Sequence, residues 1–206
     1  MLYLATASTQ QVRDAMSAGL LGQLRQPNCG HVVTPGAQWA ADNGAFSSTK
    51  TFDADRWLDW LTKQPTEGCI FAVVPDVVGD HVATLALWHQ WAPVVRDLGH
   101  RPAFVLQDGC THDLMPDDTD CVFIGGSTDY KLSFDASECV RVAKDRGWWV
   151  HMGRVNSLRR LRIAASWGCD SVDGTYLAFG PDVNLPRLLS WLHPEQPSFD
   201  LFGGVA

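Results

Sequence analysis

The feature that most restricts how this chain can fold is a repeated unit. A short apolar run leads into a loop rich in glycine and aspartate, then a longer amphipathic segment, a closing glycine and another apolar run. Such alternation is the pattern of parallel strands joined by helical crossovers. It predicts strands at 2–5, 31–34, 38–41, 70–74, 103–106, 121–124, 148–151 and 171–172, and helices at 8–18, 53–62, 80–98, 134–146, 157–167 and 184–191. Ser8, Asp53, Asp80, Ser133 and Ser157 stand where side-chain oxygens can accept from the free amides of a first helical turn. Gly99, Gly147 and Gly168 follow three of the helices, at positions suited to a left-handed cap. Eight strands in a single domain spanning 1–206 predict an α/β protein folded as a compact (β/α)8 TIM barrel, with a doubly wound open sheet as the alternative.

Composition removes several other classes. With 46% hydrophobic and 19% charged residues the chain is far from the polar regime of disordered proteins. Its apolar runs fall well short of the roughly 18 residues that span a bilayer, so no membrane association is expected. The start, Met1-Leu2-Tyr3-Leu4-Ala5, lacks the basic region and long apolar core of a secretory signal, which predicts a cytoplasmic protein. Cysteines 29, 69, 110, 121, 139 and 169 form no C-x-x-C pair, so they read as reduced packing residues, and neither a metal nor another cofactor is expected. The 16 basic and 23 acidic residues leave a charge of −7, which argues against non-specific nucleic-acid binding. A local exception is Arg154, Arg159, Arg160 and Arg162, which put four of the basic residues close together, beginning in a loop and running onto a predicted helix. A solvated helix face explains that cluster as well as a phosphate contact does.

A barrel makes a specific demand: groups that do chemistry stand where strands end and loops lead to helices. Those positions hold Asp42-Asn43-Gly44, Pro75-Asp76, Gln107-Asp108-Gly109, Gly125-Gly126-Ser127, Met152-Gly153-Arg154 and Asp173-Gly174-Thr175. Carboxylates gathered on one rim can divide into acid, base and nucleophile when burial separates their pKa values. An amide such as Gln107 beside an aspartate such as Asp76 offers the paired donors and acceptors that match a purine edge. Each residue also has a plainer reading. Asp42 before Asn-Gly, Asp76 after proline and Asp173 before glycine all suit turns, Gly125-Gly126 suits a tight bend, and Asp80 reads as a cap.

Taken in order, these segments resemble the tRNA-guanine transglycosylases, and more closely the shortened phage DNA-deazaguanine transglycosylases related to them. The family's Asp-Ser-Gly-Gly-Phe-Gln motif is similar to Asp42-Asn43-Gly44-Ala45-Phe46-Ser47, and its guanine-reading aspartate corresponds to Asp76. Val-Gln-Gly-Gly resembles Leu106-Gln107-Asp108-Gly109, Gly-Gly-Leu resembles Gly125-Gly126-Ser127, and Met-Gly-Val-Gly resembles Met152-Gly153-Arg154-Val155. The family's nucleophile segment, Gly-Val-Asp-Met-Phe-Asp-Cys, is similar to Gly168-Cys169-Asp170-Ser171-Val172-Asp173-Gly174. The likeness runs through residues 1–180. It departs at Ser47, which replaces a ligand-contacting glutamine, and beyond Asp173, where the family's zinc-binding cysteines have no counterpart.

The resemblance implies an enzyme that exchanges guanine in DNA for a 7-deazaguanine such as preQ0 (7-cyano-7-deazaguanine). Asp173 would be the nucleophile and Asp42 the proton shuttle. Asp76, Gln107, Gly125 and Gly126 would read the base, Met152 and Gly153 would form the pocket wall, and Arg154, Arg159 and Arg160 would meet DNA. A base-releasing N-glycosidase and a non-catalytic deazaguanine-binding subunit are the alternatives. The place of a second copy of the chain, or of a partner in a modification complex, is left open.

Overall fold

A computed structural model of the protein describes residues 1–45 and 52–193; the motif positions Phe46 and Ser47 lie outside them. Eight parallel strands form one closed barrel in sequence order: β1 (Leu2–Ala5), β2 (Gly22–Arg25), β3 (Trp39–Ala41), β4 (Cys69–Val73), β5 (Pro102–Leu106), β6 (Cys121–Ile124), β7 (Trp149–Met152) and β8 (Ser171–Asp173). Closure is made by β1 against β8, with Leu2 opposite Ser171 and Leu4 opposite Asp173, so the sheet has no open edge. The open-sheet alternative is thereby excluded. Around the barrel run α1 (Gln10–Ser17), α2 (Ala54–Leu61), α3 (His81–Asp97), the single turn α4 (Thr128–Lys131), α5 (Phe134–Asp145), α6 (Leu158–Ser166) and α7 (Pro181–Leu192).

Local chemistry sets these boundaries. Asp53, Asp80, Ser133 and Ser157 accept from the backbone N–H three residues on, as their sequence context predicts. At α1 the cap is Thr9, which accepts from Val12, and Ser8 stands just outside. The short α4 was not expected from the sequence. Ser127 caps it, and the Tyr130 hydroxyl anchors it by donating 2.9 Å to the Cys110 carbonyl.

One strand differs from its expected place. Residues 31–34 form no strand, and β2 is Gly22–Arg25, a stretch without apolar alternation. Two side chains explain why it is buried nonetheless. Gln23, fully inaccessible, donates to the Val32 carbonyl at 2.9 Å and accepts from the Thr34 N–H at 2.7 Å, so the 31–34 segment is stitched beside β2 by a side chain. Arg25 donates to the His31 carbonyl and packs over the rings of Trp39 and Trp60. Gly22 is needed because a Cβ there would stand 2.5 Å from Leu4 Cδ2 and 2.8 Å from Leu2 Cδ2.

The core has two layers. Inside the barrel, Leu4, Ala40, Phe71, Val73, Ala103, Val105 and Cys121 pack with Leu24, Phe123 and Trp149. Small residues on some strands make room for phenylalanines on others, which fills a narrow interior. Between barrel and helices lies a larger layer containing Trp39, Trp57, Trp88, Phe104, Ile124 and Met152. Burying each of these large side chains contributes about 1.5–3 kcal/mol relative to leaving it in water. Cys110, Cys121, Cys139 and Cys169 are buried in these layers and unpaired. No described helix is long and apolar enough to cross a membrane.

Candidate active site

Strand side chains alternate between the two layers, and this alternation builds the site. Continuing the interior phase past the strand ends reaches Asp42 from Ala40, Gln107 from Val105, Gly125 from Phe123 and Gly153 from His151, and within β8 it leads from Ser171 to Asp173. These residues, with Asp76, Gly126 and Arg154, line one pocket at the carboxyl end of the barrel. A second, wider lobe adjoins it and shares Leu24, Asp42, Arg154 and Asp173. Asp42 and Asp173 therefore stand at the junction of a compact pocket and an open groove.

On the β3–β5 side the polar groups form a closed network. Asp76 accepts from Asn43 Nδ2 at 2.6 Å and from Gln107 Nε2 at 2.5 Å. Gln107 is held in that orientation because its Oε1 accepts from the Gly79 N–H at 2.8 Å, and Asn43 because its Oδ1 accepts from the Ala45 N–H. Burial pushes the Asp76 carboxyl above its usual range, and the two amide donors partly hold it down. Asp42 is pushed up to about 7, by desolvation first and then by the negative charges of Asp173 and Asp76. A carboxyl with that value holds and releases a proton near neutrality, as a general acid and base must.

On the β6–β8 side the groups differ in kind. Asp173 Oδ1 lies 2.9 Å from His151 Nε2. His151 is fully buried, and its Nδ1 is 2.8 Å from Ser171 Oγ, which also accepts from Trp149 Nε1 at 2.9 Å. Lys131, at 3% exposure, reaches the pocket from α4 and donates to the Gly153 carbonyl at 2.7 Å. Its pKa is lowered to about 7, by burial first and then by the Arg154 cation, with Asp173 opposing. Close approach explains two of the glycines. A Cβ at Gly153 would stand 2.7 Å from Phe123 and 3.2 Å from Asp173 Oδ1, and one at Gly125 would stand 2.6 Å from Val105.

Arg154 has φ 61°, the one positive φ at a non-glycine among the described residues. Such a conformation costs on the order of 1–3 kcal/mol and is found mostly where a side chain must be aimed. Its guanidinium donates to the Gly126 carbonyl and lines both lobes.

Three expected site residues are placed elsewhere. Met152 follows His151 by one residue, so strand alternation turns it outward into the layer beneath the helices, and it forms no part of the pocket wall. Arg160 lines neither lobe; its guanidinium donates 3.1 Å to the Arg154 carbonyl and braces that strained turn. Arg159 is exposed on α6, also outside both lobes. Conversely, Lys131, His151 and Ser171 were given no role from the sequence. Only their positions mark them, His151 inside β7, Ser171 at the start of β8 and Lys131 on an unexpected helical turn. Among the described residues no group of three or more His, Cys, Asp or Glu side chains is arranged to hold a metal ion.

No protein-family model matches the chain, and no curated protein does. Among solved structures it is similar to 3-hexulose-6-phosphate synthase, with a TM-score of 0.55 at 11% identity over 93% of this chain and 99% of that one. It is also similar to a ligand-free tryptophan synthase from M. tuberculosis, with a TM-score of 0.50 at 15% identity, covering 92% and 87% of the two chains. At these identities the likeness shows the barrel fold alone.

Proposed function

We propose that this protein is a DNA-guanine transglycosylase, an enzyme that replaces guanine in DNA by a 7-deazaguanine base through a covalent glycosyl-aspartate. The observation that carries the reading is the division of labour among three carboxyls in one pocket. Asp76 is fixed by two amides, Asp42 is poised near neutrality, and Asp173 is supported by a buried imidazole. The motif order that resembles the transglycosylases assigns these same three residues to base reading, proton transfer and nucleophilic attack.

In the first step a carboxylate oxygen of Asp173 bonds to C1′ of the target deoxyguanosine. The C1′–N9 bond breaks, and its electron pair leaves with guanine, which takes a proton from Asp42. In the second step the incoming 7-deazaguanine returns a proton to Asp42 and its N9 bonds to C1′, and the Asp173–C1′ bond breaks to restore the carboxylate. Asp76 and Gln107 would hold the Watson–Crick edge of either base in this account. The target nucleotide must be flipped out or single-stranded to reach such a pocket, at a cost of a few kcal/mol.

Charge favours one path for the DNA strand. The starts of α2, α4, α5 and α7 carry Asp55, Asp129, Asp135 and Asp182, and Asp53 and Asp80 cap α2 and α3 on the same face. The first turns of α1 and α6 carry no acid. The wide lobe runs over the ends of β1, β2, β7 and β8 and is lined by polar groups that include Asn28, His31, Asn156 and Thr175, with Arg25 on its wall and Arg154 at its junction with the pocket. A phosphate backbone is repelled least there. The reading is tested by incubating DNA with labelled guanine. Wild-type protein is expected to incorporate label and Asp173→Ala to incorporate none while remaining folded by circular dichroism. Equal incorporation by the two would overturn it.

A further inference from the structure

The pair His151 and Asp173 is unlike anything the motif order implies, and its geometry is restrictive. The Trp149 indole N–H can only donate, so Ser171 Oγ accepts from it at 2.9 Å. Ser171 has one proton of its own, and the neighbour left for it is His151 Nδ1 at 2.8 Å. With Nδ1 accepting, a neutral imidazole carries its proton on Nε2, which faces Asp173 Oδ1 at 2.9 Å. Every donor in the chain Trp149, Ser171, His151, Asp173 then has an acceptor. The ring cannot turn away from this arrangement, being fully buried with its centroid 4.5 Å from Phe123 and 5.2 Å from Phe71. The residues alternate correctly for it: Trp149 and His151 on β7, Ser171 and Asp173 on β8, all in the interior phase with His151 paired to Ser171.

We propose that His151 is a positioning residue for Asp173, holding Oδ1 through a fixed Nε2–H so that Oδ2 faces C1′ and assisting the carboxylate to leave in the second step. The proposal rests on the reading of Asp173 as the nucleophile. Before attack the hydrogen bond locks the carboxylate rotamer. Once Oδ2 is bonded to C1′, Oδ1 is the ester carbonyl and still accepts from Nε2–H. When the Oδ2–C1′ bond breaks, its electron pair goes to the carboxylate, and the donor is in place for the charge that returns. No proton moves through His151 in either step. The donor therefore contributes most where negative charge develops, in departure rather than attack.

The test has two arms. Nitrogen NMR of protein labelled at histidine reads the tautomer without requiring any reaction. The proposal expects the neutral Nε2–H form at mildly alkaline pH, with a shift that changes in Asp173→Ala. An Nδ1–H form, or a signal indifferent to Asp173→Ala, overturns it. The second arm follows the covalent adduct by intact-protein mass spectrometry during single turnover on DNA. His151→Phe removes the donor and is expected to slow adduct breakdown by about tenfold to a hundredfold, the scale of a lost hydrogen bond to a charged group, while adduct formation slows less. His151→Gln, which keeps an N–H, is expected to restore part of that rate. Ser171→Ala releases the tautomer and guards against failure of His151→Phe to fold. Equal slowing of formation and breakdown in a folded variant overturns the leaving-group role. Absence of any adduct in wild type, with the Nε2–H tautomer present, overturns the transglycosylase reading and the leaving-group role with it, and leaves only the hydrogen-bonded pair.

Discussion

The two sides of the pocket mouth hold charge in opposite ways. On the β3–β5 side, Asp42 and Asp76 are pushed towards their neutral forms, Asp42 chiefly because it is desolvated beside two other carboxylates. Across the barrel, Asp173 is met by the His151 ring, and the buried Lys131 and the strained Arg154 stand with it in the pocket wall. A proton donor on one side and a supported carboxylate on the other is the asymmetry that double displacement at an anomeric carbon needs.

The largest effect is expected from Asp173→Ala, which leaves no nucleophile and should lower base exchange by at least about a thousandfold with little change in melting temperature. Asp42→Asn keeps the shape but removes the transferable proton, and a loss of about a hundredfold or more in kcat is expected. In wild type the exchange rate should fall as pH rises through about 7, because Asp42 is active as the acid only while protonated. Lys131 loses its proton over the same interval, so the profile of Lys131→Met decides between them: survival of the alkaline fall assigns it to Asp42. Gln107→Ala frees one oxygen of Asp76 and removes the brace made by the Gly79 N–H. Its effect is expected mainly in KM for the incoming base, by about ten- to fiftyfold.

Smaller effects probe the β6–β8 side. Arg154→Gly accepts the φ of 61° without strain and removes the guanidinium, so it should weaken DNA binding and make its salt dependence shallower while the fold is kept. Filter binding across a salt series measures this directly. Lys131→Met should raise the melting temperature by a few degrees. The folded pKa of Lys131 is depressed, so the folded state binds this proton less well than the unfolded chain does between about 7 and the ordinary lysine value. Wild-type stability is therefore lowered as pH falls through that window, and the gain from Lys131→Met is expected to be largest at and below neutral pH.

Most of the pocket lining was legible, Asp42, Asp76 and Gln107 on one side and Asp173, Gly125, Gly126, Gly153 and Arg154 on the other. Asp42, Asp76 and Gln107 follow their strands in recognisable loops, and the strand–loop–helix–glycine unit fixed the barrel to within one strand. The misplaced strand shows the limit of hydrophobic pattern. β2 is buried through Gln23 and Arg25, whose partners lie in the following loop, so nothing apolar announces it. On the β6–β8 side three further groups were hidden by context. His151 reads as one more residue of a strand, Ser171 as the start of another, and Lys131 as a surface lysine, because their roles depend on contacts across β7 and β8 and on a helical turn of four residues. Met152 stands outside the pocket for the same reason in reverse: one step of strand register moves a side chain from the pocket to the layer beneath the helices.

In the proposed reaction one base leaves DNA and another enters at the same carbon. Guanine-containing DNA incubated with the protein and preQ0, then digested to nucleosides and read by mass spectrometry, tests it most directly. The account predicts a preQ0 deoxynucleoside appearing in step with free guanine, both lost in Asp173→Ala. Guanine released without incorporation, or DNA left unchanged, would contradict it.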